Sequence, residues 1–395
     1  MIKLLVIADD FTGMLDTGVQ FAKYSNKVNA TTDYNTDFTS VPCDIEVLII
    51  DTETRHASAE VAYHRLAKLY KRAKSSGIKY IYKKIDSVFR GNVGPELKAM
   101  ADYLDTKNIA LVPSYPDNNR IIKDGKLYID RDLEDFSKKL YDIDLQKKLS
   151  REKISLITNS INDEDGDFLF MDAVSNGDLE KNLSYLVNKN LTNYVVGSAG
   201  FAEYYAKFLF DTKVDNSFDI KSPLIVVCGS LNKATRLQND FVKRKGYPVI
   251  SLGHELLTSR DGFVDEYETL VGSICENSRN NKIVVVETSS VPIDEENTTN
   301  DDPRILIGNT LGHITKSLME KSIEGTFLFT GGDTLFWCMK VLEVSSIRPI
   351  AEIEPGVVVS KVNYMGKTIN VITKSGGFGE ESLYFEISNK YMKGE

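Results

Sequence analysis

Short apolar runs alternate with helical patterns along both halves of this 395-residue chain, and that alternation restricts the fold more than any other feature. Residues 4–8, 47–51, 79–83 and 110–112 have the length and β-branched character of buried strands. Between them, 13–24, 58–74 and 94–104 carry apolar residues at helical spacing. This order predicts parallel strands joined by crossover helices. After Pro113 the pattern weakens into a charged stretch, 121–150. It resumes with strands at 154–158 and 194–196 and helices at 179–188 and 201–209. A polar, nonperiodic segment, 211–222, precedes Pro223 and marks a domain boundary. A second round follows, with strands at 224–228, 283–287 and 326–330 and helices at 233–245, 303–321 and 334–342. The tail, 356–387, reads as β-hairpin material. The expected fold class is α/β, in two domains, 1–212 and 222–395. Each has a largely parallel sheet flanked by helices, and the active site is expected in the interdomain cleft.

Composition excludes several classes of function. No apolar run approaches the roughly 20 residues a membrane span needs. The opening apolar run meets Asp9 and Asp10 too early for a signal peptide, so it reads as a first strand. A formal net charge of −9 argues against nonspecific nucleic-acid or anionic-membrane binding, so an anionic substrate needs a local cluster of Lys and Arg. Cys43, Cys228, Cys275 and Cys338 lie far apart with no Cys-x-x-Cys pair, which fits a reducing cytoplasm. The four histidines show no metal-ligand spacing.

Two clusters in the first half could carry chemistry. The first strand ends in Ala8-Asp-Asp-Phe-Thr-Gly13, at the carboxyl edge where open parallel sheets hold ligands. Asp9 and Asp10 repel one another unless a cation or a substrate hydroxyl uses them. The second cluster, Lys83-Lys-Ile-Asp-Ser-Val-Phe-Arg-Gly-Asn92, also follows a strand and precedes a helix. Lys83, Lys84 and Arg90 offer donors for a carboxylate or phosphate, while Asp86, Ser87 and Asn92 suit sugar hydroxyls. Arg55 and Arg120, each just past a strand, are candidates for the same crevice. Helix caps and solvated charge are the structural alternatives for all of these.

The second half carries three glycine turns after apolar strands: Gly229-Ser-Leu-Asn232, Gly331-Gly-Asp-Thr334 and Lys374-Ser-Gly-Gly-Phe-Gly-Glu380. Two of them lead into helices, and three such turns in one domain suit a polyphosphate. Asp333 could reach Mg²⁺ directly or through water. Gly366-Lys-Thr368 lacks the first glycine of a Walker A motif and precedes a strand, so it reads as a hairpin turn. The acidic run 163–167 has its glycine in the wrong place for a calcium loop. No Gly-x-Gly-x-x-Gly opens the first helix, which argues against a nicotinamide dehydrogenase.

With these residues in hand, the chain resembles the four-carbon acid sugar kinase family across nearly its full length. The resemblance rests on Ala8 to Gly13, Lys84-Ile-Asp-Ser-Val-Phe-Arg-Gly91, Gly197-Ser-Ala-Gly-Phe-Ala202, Gly229-Ser230, Gly331 to Thr334, Glu354-Pro-Gly-Val357 and Lys374 to Gly379. It implies ATP-dependent phosphorylation of a terminal hydroxyl of a C4 acid such as threonate, erythronate or 3-oxo-tetronate. It implies a sugar-acid-binding N-terminal domain and a nucleotide-binding C-terminal domain. It assigns Asp9, Asp10, Arg55, Lys84, Asp86, Ser87 and Arg90 to the acid, with Asp9, Asp10 and Lys84 as catalytic residues. Ser230, Gly331, Gly332, Asp333, Thr334, Gly376 and Gly377 fall to the nucleotide. ATP and Mg²⁺ are the implied cofactors, and either Lys84 or Lys374 would neutralise the transferring charge. Asn119 stands where the family usually has Gly, Asn232 departs from the Gly-Ser-x-Ser turn, and Val358 replaces a common Pro. The expected partners are the sugar acid and ATP, with homodimer formation left open. A nonenzymatic sensor of a sugar acid and a nucleotide is the alternative.

Overall fold

A computed structural model describes residues 2–129, 149–159, 166–230, 232–253, 264–288 and 303–392. It contains two compact units, Met1–Asp215 and Asn216–Glu395.

In the first unit the chain runs β1 (Leu4–Ala8), α1 (Phe11–Ala22), β2 (Val28–Thr31), β3 (Val47–Asp51), α2 (Ala59–Ser75), β4 (Tyr80–Lys84), α3 (Val93–Leu104) and β5 (Ile109–Val112). It continues through the hairpin β6 (Arg120–Lys123) and β7 (Lys126–Ile129), then β8 (Leu156–Thr158), β9 (Phe168–Phe170), α4 (Asn176–Asn188), β10 (Tyr194–Gly197) and α5 (Ala199–Phe210). The main sheet has the order β2-β3-β1-β4-β10-β5-β9-β8, and every pairing in it is parallel. All five residues of β1 are buried, as a central strand covered on both faces requires. Helices α2 and α3 pack together, as do α1 and α5. The register sets Ala8 beside Asp51, Ile7 beside Lys83 and Lys84 beside Gly197, so the polar ends of these strands meet at one carboxyl edge.

The second unit contains β11 (Leu224–Cys228), α6 (Lys233–Arg244), β12 (Val249–Ser251), α7 (Val264–Asn280), β13 (Ile283–Glu287), α8 (Pro303–Glu320), β14 (Thr326–Thr330), α9 (Gly332–Val341), β15 (Ser346–Glu354), β16 (Val357–Tyr364), β17 (Lys367–Lys374) and α10 (Leu383–Tyr391). Strands β12-β13-β11-β14-β17 are parallel neighbours, and β16 and β15 continue the sheet antiparallel.

The α/β class and the largely parallel sheets match the sequence expectation. The hairpin tail does so only as far as Lys374. There β16 and β17 are joined through Met365 and Gly366, both at positive φ (48° and 74°), the backbone of a type I′ turn. The segment beyond 374 is not a strand. It ends in α10, which buries Leu383, Tyr384 and Ile387 at helical spacing. Of the acidic run once compared with a calcium loop, residues 163–165 lie outside the described residues, as does 130–148 of the charged stretch.

Candidate active site

Strand β1 ends at Ala8, and the next two residues are the paired aspartates. Asp10 is the N-cap of α1, its Oδ1 accepting the Gly13 N–H at 3.0 Å. The segment after β3 is pinned alongside them. Thr52 donates its hydroxyl to the Ala8 carbonyl at 2.8 Å, and the N–H groups of Thr54 and Arg55 both donate to the Asp9 carbonyl at 3.0 and 3.1 Å. Arg55 is thereby aimed at the carboxylates. Its Nε donates to Asp9 Oδ2 at 2.8 Å and Nη2 to Asp9 Oδ1 at 3.1 Å, while Nη1 donates to Asp10 Oδ2. One guanidinium therefore offsets the repulsion between the two aspartates.

The two carboxylates are not equivalent. The Asp9 side chain is 2% exposed and both its oxygens are held by Arg55; that of Asp10 is 20% exposed. Burial would raise Asp9, but the charges of Arg55, Lys83 and Lys84 outweigh it and hold the carboxyl below its usual range. Burial raises Asp10, the charge of Asp9 adds to the rise, and Arg55 and Lys84 offset only part.

The two lysines at the end of β4 point to different fates. Lys83 is wholly buried and pairs with Glu96 of α3 at 2.8 Å, also donating to the Lys84 carbonyl at 2.8 Å. Glu96 in turn accepts the Thr54 hydroxyl. The expectation that Lys83 contacts an anionic ligand is therefore corrected: its ammonium is consumed inside the unit. The Lys84 ammonium, in a residue 6% exposed, has no hydrogen bond or contact ion pair among the described residues. Its Nζ converges with Asp10 over Gly13, where an added Cβ would lie 2.7 Å from Lys84 Nζ and 2.5 Å from Asp10 Oδ1. Only glycine permits that approach.

Asp86 faces Arg90, whose Nη2 and Nε donate to it at 2.8 and 3.0 Å, and Arg55 Nη2 lies 3.8 Å away. Burial would raise Asp86, but the Arg90 hydrogen bond and the arginine charges hold it well below the carboxylate range. Ser87 is half-buried beside this pair in sequence and has no side-chain partner among the described residues. The Asn92 amide donates to the Thr54 and Ala57 carbonyls at 2.7 and 2.8 Å, so it braces the loop after β3. Arg120 donates to the carbonyl and side chain of Asn118. The structure thus gathers Asp9, Asp10, Arg55, Lys84, Asp86 and Arg90 into one charged cluster. Asp51 is a member the sequence did not single out. It is fully buried with Oδ2 unpartnered, and burial, with the Asp10 charge adding, pushes it well above the usual range.

In the second unit the three glycine turns converge. The β14–β17 register sets Thr330 beside Lys374, and Gly331 donates its N–H to the Lys374 carbonyl at 2.8 Å. Thr334 lies against Gly229, and a Cβ on Gly376 would meet Ser230 Oγ at 2.5 Å. Ser230 Oγ accepts the Asn232 N–H at 3.3 Å and lies 3.4 Å from the Thr235 hydroxyl; Leu231 between them is outside the described residues. The Thr334 hydroxyl donates to the Thr330 carbonyl at 2.9 Å. Gly332 opens α9, and its first-turn N–H groups are available as at any helix start. Asp333 there is exposed and has no partner among the described residues.

Lys374 is turned inward. Wholly buried, its Nζ donates to the carbonyls of Ser375, Gly376 and Phe378 at 3.0, 3.1 and 3.0 Å and to Thr235 Oγ1 at 3.3 Å. Of the two lysines offered for charge neutralisation, Lys374 thus spends its ammonium on its own loop, while that of Lys84 lies beside Asp10. The helix α6 supplies two loop contacts that the sequence reading missed. Thr235 donates to the Gly376 carbonyl at 2.9 Å, and Gln238 donates to the carbonyls of Phe378, Gly379 and Glu380 at 3.0, 2.9 and 3.0 Å. On α6, Thr235, Gln238 and Asn239 are buried together with Val242 while Leu237 is 44% exposed, so the inward stripe is largely polar, which an apolar periodicity could not have located.

Comparisons with known proteins match two separate parts of the chain. Residues 4–140 match the model of a sugar-binding N-terminal domain, and residues 225–383 that of a nucleotide-binding C-terminal domain. The chain is 27% identical to a D-threonate kinase of Salmonella typhimurium over 96% of both chains. It is 22% identical to a 3-oxo-tetronate kinase of Haemophilus influenzae over 96% of this chain and 97% of that one. A D-erythronate kinase of Heliobacterium modesticaldum is 33% identical over 33% of this chain and 30% of its own. Among solved structures, a Haemophilus influenzae protein of the DUF1537 family matches with a TM-score of 0.74 and 21% identity, covering 98% of this chain and all of that one.

Proposed function

The chain belongs to the four-carbon acid sugar kinase family, and from that premise we propose that it is a sugar-acid kinase transferring the γ-phosphoryl of ATP to a terminal hydroxyl of a C4 acid. The acid is of the D-threonate, D-erythronate or 3-oxo-tetronate type, as with the relatives. The observation that carries this reading is the Lys84 ammonium, buried beside Asp10 and within the field of Asp9, Asp10 and Asp86, yet held by no side-chain hydrogen bond or contact ion pair among the described residues. A buried ammonium whose N–H donors are not taken up by the protein favours an anionic oxygen as their acceptor. A phosphoryl group arriving at a hydroxyl that Asp10 aligns supplies one.

In this reading Asp10, the more exposed and less acidic carboxylate, orients the acceptor hydroxyl and takes its proton. Asp9 keeps Arg55 in place, and Arg55 keeps the two carboxylates together. Asp86 and Arg90, with Ser87, meet the remaining oxygens of the acid. Phosphoryl transfer goes through a loose transition state, so positioning and charge neutralisation contribute more than the base. In the second unit the turns at Ser230, Gly331 to Thr334 and Gly376 to Gly377 present backbone N–H groups to the ATP phosphates.

Among the described residues no three His, Cys, Asp or Glu side chains form a metal cage. Mg²⁺ in kinases is held by one or two carboxylates together with substrate phosphates, and the exposed carboxylate of Asp333 at the head of α9 fits that role. There Mg²⁺ would neutralise phosphate charge.

A coupled ADP-release screen over D- and L-threonate, D- and L-erythronate and the 3-oxo acids tests the proposal. ADP release that depends on one of these acids supports it. Binding of acid and ATP without turnover would favour a sensor, and equal ATP hydrolysis with and without acid would contradict acceptor phosphorylation.

A further inference from the structure

The loop from Ser375 to Glu380 is built around a cation it does not display. Five of its carbonyls point to buried donors: those of Ser375, Gly376 and Phe378 to Lys374 Nζ, and those of Phe378, Gly379 and Glu380 to Gln238 Nε2. Thr235 adds a further bond to the Gly376 carbonyl at 2.9 Å. The N–H groups tell the opposite story. Ser375 N–H is used by the Gly356 carbonyl and Phe378 N–H by the Ser375 carbonyl, but those of Gly376 and Gly377 have no acceptor among the described residues. A peptide unit whose carbonyl is drawn inward presents the N–H on its other side outward. Drawing in the Ser375 and Gly376 carbonyls therefore turns out the N–H groups of Gly376 and Gly377, the pattern of an anion-binding nest.

We infer that Lys374 is a positioning residue for the nucleotide site, its ammonium gathering the loop carbonyls so that the Gly376 and Gly377 amides face the phosphates. It touches no ligand itself. Thr235 and Gln238 complete the same inward set from α6. A neutral side chain at 374 would take one hydrogen bond from each of three carbonyls at once, and the two glycines, with no side chains to hold them, would lose the firm outward setting of their amides. This inference rests on the second unit binding ATP, and it adds which buried group makes that unit competent to do so.

The test compares wild type, Lys374→Met, Thr235→Val and Gln238→Leu in the full chain. ATP binding is measured by calorimetry, and KM for ATP, KM for the acid and kcat under saturation, with circular dichroism as the check on folding. At metal sites, loss of an outer-layer positioning partner typically costs about 10–100-fold in affinity, which sets the scale for a comparable role here. Lys374→Met is expected to raise Kd and KM for ATP by about that factor, leaving KM for the acid unchanged and kcat at saturating ATP within about threefold. Thr235→Val and Gln238→Leu are expected to move KM for ATP in the same direction by less, and they decide the matter if Lys374→Met does not fold. Folded variants that bind ATP like wild type would overturn the inference. So would a fall in kcat with KM for ATP unchanged, the mark of direct contact in the transition state. Failure of wild type to bind ATP would overturn the nucleotide reading itself, a separate result.

Discussion

Arg55 grips Asp9 through two hydrogen bonds, Nε to Oδ2 at 2.8 Å and Nη2 to Oδ1 at 3.1 Å, and thereby commits one of two adjacent carboxylates to structure. The other is left with a free share of surface. Asp10→Asn should abolish turnover while leaving ATP binding nearly intact. Asp9→Asn should also lower turnover, but with a lower melting temperature, because it loosens Arg55. Steady-state rates and thermal melts on both variants check this; near-normal turnover in Asp10→Asn would remove it from the catalytic role.

The two carboxylates also set a pH dependence. A base works only when ionised, and Asp10 is raised by burial and by the charge of Asp9. The rate should therefore rise with pH through a value above the roughly 3.9 of an unperturbed aspartate. A pH profile of kcat/KM for the acid measures this. An acid limb at or below the ordinary aspartate value would contradict the assignment.

The buried pair of Lys83 and Glu96 makes a stability prediction. Glu96→Leu leaves Lys83 charged in the core without its carboxylate, and breaking a buried pair in this way typically costs about 3–5 kcal/mol. Replacing both together, with Lys83→Met, should recover most of the loss. Urea denaturation of the single and double variants checks it, and equal stability of the Glu96→Leu variant and wild type would refute the pairing.

Gly376 sits where a Cβ would meet Ser230 Oγ at 2.5 Å, whereas at Gly377 the nearest atom would be Asn232 Nδ2 at 3.4 Å. Gly376→Val should therefore distort the loop and weaken ATP binding. Gly377→Val should weaken it too, there by placing bulk beside the open amide. Unchanged ATP affinity in both, measured by calorimetry, would sink the phosphate-loop assignment.

How much of this was legible beforehand follows from the range of the forces involved. Strand β1 and strand β11 were readable because five consecutive apolar residues followed by Asp-Asp or Gly-Ser are a local signal. The three glycine turns were readable for the same reason. Strand β2, with Asn29 in its middle, was not, because its identity depends on pairing with β3. The division of labour between the lysines was equally hidden. Lys83 and Lys84 are neighbours in sequence, but alternation along β4 sends one to Glu96 and the other to Asp10. Lys374 looked like a phosphate ligand because it adjoins a glycine loop. Its ammonium turns instead to that loop's carbonyls and to Thr235, which, like the loop's other donor Gln238, lies about 140 residues earlier, and only the fold brings them together.

The most direct measurement of the central claim follows the γ-phosphoryl group. ATP labelled at that phosphorus is incubated with the protein and each C4 acid, and the products are separated and identified by ³¹P NMR and mass spectrometry. The account predicts label on a terminal hydroxyl of one or more of these acids, and none when Asp10 is replaced by Asn. Label found only in inorganic phosphate, with every acid recovered unchanged, would contradict it.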